Sequence, residues 1–405
     1  MSASRSSFAP VIVAFMVGAC GALALNYWLG GSAERGRRAD RDQRIEELST
    51  RLDERRRELA ALEQDVREVR VARAQKDALE ADPAAKAALA WLHELDPKKY
   101  GGMTLDALLH LRELDLSRKL LDPEDLKHLR HFPGLAILNL RGTGINDEGL
   151  ALLAGITSLQ NLDLTGTLIT DDGLDHLAGL DKLRDLSLTS TSIGDDGLAK
   201  LKQLSALTGV QLNGTQITDA GLAHLQELPI TSLGIGATAV TDTGLAVLDH
   251  FELKDLSLYR NTNITDAGMA HLRNQKALET LMLRGVKISE QGLSYLGDLK
   301  HLKELNASLS VTDAGMQHLG RLTSLKRLGL YSNPQITDAG AAHLANLKHL
   351  ESLQLQFTKI SDAGLGHLEQ LEDLRFLDLR GTGVTPTAAD GFRNTHPKCR
   401  VLSTK

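Results

Sequence analysis

The chain has 405 residues, 42% of them hydrophobic but only 3% aromatic, and a formal net charge of −6. The mild acidity argues against nucleic acid as the main partner, and the dominance of leucine over aromatic filler points to an elongated array rather than one globular enzyme domain. The two cysteines, Cys20 and Cys399, stand at opposite ends of the sequence, which excludes a disulfide framework and a CxxC metal cluster and leaves the redox compartment open.

After a short tail (1–9), the stretch 10–29 reads PVIVAFMVGACGALALNYWL, twenty residues without a formal charge. That length matches the hydrocarbon thickness of a bilayer, so the sequence predicts a single membrane span, with Tyr27 and Trp28 at the interface. Two alternatives stay open: a cleaved signal sequence, and a lipoprotein signal in which VGAC at Val17–Cys20 would place a lipid on Cys20. The apolar run continues nine residues past Cys20, longer than a signal requires. Orientation also stays open. Arg35, Arg37, Arg38, Arg41 and Arg44 follow the run and only Arg5 precedes it, which by flanking charge puts the rest of the chain in the cytoplasm, whereas a signal anchor would export it. The expected localisation is single-pass membrane with the side undetermined.

Residues 32–80 hold thirteen basic and thirteen acidic side chains. Apolar residues recur at Ile45, Leu48, Leu52, Leu59, Leu62, Val66 and Val69, the a and d positions of about four heptads, interrupted by Arg55. This predicts a helical stalk able to form a coiled coil. A parallel homodimer would oppose Arg51 to Arg56 and Glu58 to Glu63, with only Asp65 and Arg70 attracting, and is disfavoured. A helix of another protein as partner, or a lone helix held by pairs such as Glu47/Arg51, Asp53/Arg57 and Glu63/Arg67, remains open. Asp82-Pro83 ends the stalk, and an alanine- and leucine-rich helix begins a cap over 83–110.

From Leu111 onward the pattern L-x-x-L-x-L restarts at Leu135, Leu159, Leu183, Leu207, Ile230, Leu253, Leu278, Leu302, Leu325, Leu350 and Leu374, at spacings of 23 to 25 residues, giving twelve units over 111–405. In Leu159–Leu180 the first half alternates like a strand, while Leu174, Leu177 and Leu180 make one helix face. Strands pack roughly 4.8 Å apart and helices about 8–10 Å, so stacking bends such an array with the strands inside.

Three columns recur in the second half of the unit, as in ITDAGLAHL at Ile217–Leu225. The aspartates (Asp147, Asp171, Asp195, Asp219, Asp242, Asp266, Asp313, Asp338, Asp362) stand at helix starts, where a Thr or Asp side chain accepts from free N–H groups and a negative charge complements the helix dipole. A calcium ladder would need six to eight oxygens where each turn offers one carboxylate. The glycines, from Gly149 to Gly364, let the helix approach the sheet. The histidines (His128, His176, His224, His271, His318, His343, His367) fall at the seam with the next helix, and as zinc ligands they lack a converging third or fourth group. A further column, Thr143, Thr167, Thr191, Thr215, Thr238, Thr358 and Thr382, can satisfy backbone groups of the neighbouring turn.

These repeats resemble leucine-rich repeat proteins of the ribonuclease-inhibitor-like class, in particular the ITDxGLxxL type of F-box leucine-rich proteins and of bacterial membrane or exported repeat proteins. The resemblance covers about three quarters of the chain and implies an α/β horseshoe that binds protein. Where an F-box would lie, this chain has its apolar run and charged stalk, so the ubiquitin-ligase role does not carry over. Tyr100–His110 and the aberrant last unit, TPTAADGFRNTHPKCRVL, are expected to cap the ends. There is no insertion between repeats, and no Walker loop, GxSxG, HExxH or dinucleotide fingerprint, so neither an enzyme nor a cofactor is expected.

Function is then expected on the exposed strand positions. Those columns are acidic early (Glu113, Asp115, Asp163, Asp185) and glycine-rich in the middle (Gly209, Gly234, Gly236). Late in the array they turn aromatic and basic: Tyr259, Arg260, Met282, Arg284, Arg327, Tyr331, Gln356, Phe357, Phe376 and Arg380. These residue types favour interface cores, and the late columns are assigned as the protein-binding patch. The competing reading has these side chains stacking on each other. The sequence thus predicts a membrane-anchored scaffold for an unknown protein ligand. Its rivals are a structural or envelope-spacing protein without a specific ligand and a regulatory subunit of an enzyme.

Overall fold

The computed structural model describes residues 35–308 and 311–404. The described residues divide into two units, one ending at Asp77 and the other beginning at Ala78.

In the first unit the described residues belong to α1 (Arg35–Ala81), 47 residues long. No glycine or proline interrupts it between Arg37 and Asp82. Its charges pair along the surface: Arg55 Nη1 lies 2.6 Å from Glu58 Oε2 and Arg56 Nη1 3.6 Å from Asp53 Oδ1. Gln64 donates to Glu68 at 3.1 Å. Such exposed pairs contribute a few tenths of a kcal/mol each.

The second unit opens with α2 (Pro83–Leu95), whose start is fixed by the Asp82 carboxylate accepting from the Ala84 N–H at 2.8 Å and by proline in its first turn. Ala85, Ala88 and Leu92 of α2 are fully buried, as are Leu108 and, almost fully, Tyr100, so this segment closes the open end of the leucine core. Lys119 Nζ, 3.0 Å from Asp96 Oδ2, ties the cap to the first repeat.

Thirteen three-residue strands follow: β1 (Glu113–Asp115), β2 (Ile137–Asn139), β3 (Asn161–Asp163), β4 (Asp185–Ser187), β5 (Gly209–Gln211), β6 (Ser232–Gly234), β7 (Asp255–Ser257), β8 (Thr280–Met282), β9 (Glu304–Asn306), β10 (Arg327–Gly329), β11 (Ser352–Gln354), β12 (Phe376–Asp378) and β13 (Arg400–Leu402). They form one parallel sheet in sequence order. The register sets like on like, Leu138 beside Leu162 and Leu328 beside Leu353, so the buried leucines stack into continuous rows. The opposite side carries short α- and 3-10-helical turns, most of three to seven residues, rather than full helices.

The twelve expected units become thirteen strands. The one missed, β13, belongs to a unit that has Lys398 where earlier units have their first leucine, and it pairs with β12 through Arg400 and Phe376. The helix α3 (Pro386–Thr395) before it buries Ala389 and Phe392, and Phe392 stacks on His396 at 4.1 Å.

Of the threonine and aspartate side chains expected to cap these turns, the structure uses the threonine, and the aspartate has a different job. The helix cap is the residue before the aspartate: the Thr218 hydroxyl accepts from the Ala220 N–H at 3.3 Å. The aspartate reaches instead into the following repeat. Asp195 accepts from the Thr218 N–H at 2.7 Å and from the Thr218 hydroxyl at 2.6 Å. The same pair of bonds joins Asp147 to Thr170, Asp219 to Thr241, Asp242 to Thr265, Asp266 to Ser289, Asp313 to Thr337, Asp338 to Ser361 and Asp362 to Thr385. The glycine belongs to the same latch. A Cβ on Gly221 would lie 2.2 Å from Asp195 Oδ1, and one on Gly244 2.2 Å from Asp219 Oδ1, so the column is glycine because the previous repeat's carboxylate occupies that space.

The threonine column satisfies its own turn rather than a neighbouring one. Thr143 and Thr167 donate to the carbonyls of Leu140 and Leu164 at 2.6 Å. Where asparagine replaces it, the amide bridges two repeats: Asn261 donates to the Ile235 carbonyl at 2.8 Å and accepts from the Thr238 N–H at 2.9 Å. The histidines lie half-buried between successive turns, except for the exposed His367. His271 Nδ1 sits 3.2 Å from Asp249 and His318 Nε2 3.7 Å from Glu290.

The expected membrane span requires correction. Among the described residues no helix is long and apolar enough to cross a membrane. The long helix that is present, α1, carries a charge at more than half of its positions, and such side chains are too costly to desolvate in hydrocarbon. The stretch 10–29, on which the expectation rested, lies outside the described residues. The fold class is therefore a charged helix followed by a leucine-rich repeat solenoid, without a supported span, and the single-pass membrane localisation is withdrawn with it.

Candidate functional site

Along most strands the middle residue is buried and its neighbours are exposed or half-exposed, as at Glu113–Asp115 and Thr280–Met282, whereas Gly209, Gly234, Gly329 and Asp378 are buried outer positions. The next exposed position follows the last leucine of the motif. Three rows of side chains thus cover the sheet face.

In the first repeats these rows surround a depression of about 310 Å³ lined by Glu113, Asp115, Asn139, Asn161, Asp163, Asp185 and Gln211, among others. Its carboxylates are held in place locally. Asn161 donates to Asp185 at 2.6 Å, and Asp163 accepts from the Thr165 N–H at 2.8 Å. The Ser117 N–H and hydroxyl hold the Asp115 carboxyl below its ordinary range, so it stays charged. The middle of the face is thin: a Cβ on Gly236 would meet the Tyr259 ring at 2.3 Å, which means that Tyr259 folds back over the preceding repeat.

The later strands carry the residues assigned from sequence, and their geometry separates them into three groups. Arg284 and Tyr331, two repeats apart, meet across the face with the guanidinium carbon 5.3 Å from the ring centroid. Met282 and Phe376 are half-buried in the strand rows. Arg284 is exposed and Tyr331 half-buried.

A second group is already engaged within the chain. Arg327 donates to Glu304 through Nε at 2.7 Å and through Nη2, and this bond holds the guanidinium charged. Arg380 grips Asp378 through Nε at 2.9 Å and Nη2 at 2.6 Å, while Gln356 Nε2 donates to the same carboxylate at 2.7 Å. Asp378 is almost wholly buried beneath them. The Gln356 Oε1 is buried with no hydrogen-bond partner among the described residues.

The third group leaves the strand rows. Arg260 (φ 59°) and Phe357 (φ 60°) sit in the turn after the strand in the left-handed conformation that Gly142, Gly166, Gly214, Gly285 and Gly381 adopt in other repeats. Phe357 is 62% exposed, with its ring against Gly381, where a Cβ would lie 2.5 Å from the ring. An exposed aromatic held at positive φ costs about 1 kcal/mol or more relative to glycine.

The structure places these residues on the strand rows and in the turns after them, and several pair with one another or with neighbouring carboxylates, as the competing reading of the sequence expected. The sequence reading missed Asp378 and Glu304, the acidic anchors beneath two of the arginines, and the acidic depression as a bounded site. The signal for Asp378 was present as an aspartate between two core leucines in FLDLR. Among the described residues no group of three or more His, Cys, Asp or Glu side chains could hold a metal ion.

A leucine-rich repeat family model matches residues 135–154, 181–202 and 346–368. A comparison with curated proteins finds no match. Among solved structures, an internalin (inlF) from Listeria monocytogenes is similar at 22% identity and a TM-score of 0.54, covering 80% of this chain and 96% of that one. An internalin C2 from the same organism matches at 25% identity over 62% of this chain and 93% of its own, with a TM-score of 0.36. A leucine-rich repeat protein from Leptospira interrogans matches at 19% identity over 74% and 86%, with a TM-score of 0.39. The likeness to the first is one of fold.

Proposed function

We propose that this leucine-rich repeat protein is a non-enzymatic protein-binding scaffold, and that a protein partner seats on the later strands of its sheet, around Arg284, Tyr331, Phe357 and Phe376. The observation that supports this most directly is Phe357. A large apolar ring stands 62% exposed at a left-handed backbone position that five other repeats fill with glycine and five with Arg118, Ser190, Ala237, Arg260 and Ser332, and an exposed aromatic there is unfavourable in the free chain. A partner that covered the ring would recover its burial. The Arg284–Tyr331 pair offers a planar, amphipathic anchor of the kind that dominates binding energetics. Arg327, Gln356 and Arg380 then belong to the rim: their polar groups are taken up by Glu304 and Asp378, and they shape the face more than they grip a ligand. The regular repeat spacing, without an inserted loop, supports binding rather than catalysis.

The test is in-cell crosslinking with mass spectrometry on the intact protein beside a variant carrying Arg284→Ala, Tyr331→Ala and Phe357→Gly. The expected outcome is one protein captured by the parent and lost by the still-folded variant. With the partner purified, each anchor substitution is expected to weaken binding by about 30-fold, corresponding to about 2 kcal/mol per hot spot. Equal capture by both proteins would remove this face as the working surface.

A further inference from the structure

We infer that α1 is a self-association helix, and that its partner is a second copy of the same helix running antiparallel. Leu48, Leu52, Leu59, Leu62, Val66 and Val69 form one stripe along α1, and all six are 41 to 68% exposed. Their 4-3 spacing is that of a coiled-coil seam.

Arg55 decides the orientation. It occupies a seam position, and in a parallel, in-register pair it would face Arg55 of the second copy in the middle of the interface. Reversing one helix removes that clash. Leu48 then opposes Val66 of the second copy, Leu52 opposes Leu62, and each Arg55 opposes Leu59. The two unmatched layers, related by symmetry, are relieved locally, because Arg55 Nη1 already lies 2.6 Å from Glu58 Oε2. In the reversed register Glu58 flanks Glu58 of the second copy at the centre, and the two Arg55 side chains on either side neutralise that pair.

The remaining flanking charges agree. In the antiparallel arrangement Arg51 meets Asp65 of the second copy, twice by symmetry. Arg56 meets its own counterpart, and each of these arginines has Asp53 of its own chain 3.6 Å away. In the parallel arrangement Arg51 would face Arg56 and Glu58 would face Glu63, each twice. A parallel pair would set only the Asp65–Arg70 attractions against those four repulsions, whereas the antiparallel pair sets two Arg51–Asp65 attractions against the single Glu58 and Arg56 self-pairs, so the charge balance favours the antiparallel direction. That preference is expected of a helix built to meet itself rather than an unrelated helix.

The experiment uses the full-length chain with Cys20 and Cys399 replaced by serine. Light scattering on the parent is expected to give twice the chain mass, and Leu52→Glu with Leu62→Glu is expected to give the single-chain mass with the urea midpoint of the repeats unchanged. A monomeric parent would overturn the inference. Orientation is read with a short bismaleimide on single-cysteine chains. An equimolar mixture of Leu48→Cys and Val66→Cys is expected to form the mixed crosslink, while Leu48→Cys alone forms none. Efficient crosslinking of Leu48→Cys to itself would establish a parallel pair and overturn the assignment. The result is independent of the partner face on the repeats, which the stalk substitutions leave intact.

Discussion

At the scale of single residues, the recurring D-A-G motif is one device spread over two repeats. The carboxylate of Asp195 needs the Thr218 N–H and hydroxyl as donors, and it needs Gly221 to have no side chain, because the space a Cβ would take is 2.2 Å from its oxygen. Charge-assisted bonds of this type contribute about 1.5–3 kcal/mol. Asp195→Ala is therefore expected to destabilise the protein by about that amount, and Gly221→Ala by a similar amount because it displaces the carboxylate. The two losses should not add. In the Asp195→Ala background the glycine substitution is expected to cost much less, with a residual penalty because the Asp195 Cα lies 3.1 Å from the new Cβ. A double-mutant cycle in urea measures this, and simple additivity would show that the glycine serves another contact. The residues of the candidate site teach a related lesson: Arg284 and Arg380 look alike in the sequence, yet one lies over a tyrosine ring and the other is gripped by a buried aspartate.

At the scale of elements, the cap is the part whose stability follows pH. The Trp91 ring of α2 stacks on His128 of the first convex turn at 5.3 Å, and His131 Nδ1 of the same turn lies 3.3 Å from Asp82 Oδ2. Burial pushes both imidazoles below their ordinary value of 6.5. Lys127 adds to this effect at His128 and Asp125 opposes it, while Asp82 opposes it at His131. The folded cap thus binds these protons less readily than the unfolded chain does. Its contribution to stability is complete above about pH 6.5 and is lost as pH falls through the lowered folded values. Trp91 emission is expected to change in that acid window. His128→Phe, which keeps a stacked ring without a titrating nitrogen, should flatten the change, and a titration that persists in this variant would assign it to another group. The same element-level view explains the short convex turns. Most are anchored by leucines into the core and by an aspartate latch to a neighbour, so they need no length of their own to be stable.

At the scale of the whole molecule, a solenoid's stability is a sum of neighbour terms, and its cooperativity is limited by the weakest link. The latch is interrupted once within the DAG series, at Glu290. With one more methylene than aspartate, Glu290 lies 3.7 Å from His318 Nε2 and forms no hydrogen bond to Thr312 among the described residues. Gly315, which follows Thr312, accordingly has Leu293 Cδ1 as its nearest obstacle at 2.6 Å rather than a carboxylate. Glu290→Asp is expected to restore the latch and to stabilise the array by about 1–2 kcal/mol. It should also slow amide exchange across Asp313–Leu319. An unchanged denaturation midpoint with unchanged exchange would mean that this joint is held by its leucines alone.

The sequence by itself determined the repeat period, the leucine rows, the exposed strand columns and the change of chemistry along them, because each of these is a pattern within one unit and burial follows directly from it. It also determined that a charged helix with an apolar stripe precedes the repeats. Only the tertiary structure decided what the columns do. The partner of each aspartate lies 22 to 24 residues away, in a unit nearly identical to its own, so a latch to the next repeat and a cap on the local helix look the same in the sequence. β13 escaped notice for the converse reason: Lys398 and Ser403 stand where leucines should, and the strand exists because β12 offers it a parallel edge. The pairing of Arg327 with Glu304 and of Arg380 with Asp378, and the left-handed turns beneath Arg260 and Phe357, likewise depend on where neighbouring chains of atoms come to rest. Composition and spacing determine which side chains are buried, while the direction in which a polar side chain satisfies itself is settled by three-dimensional proximity.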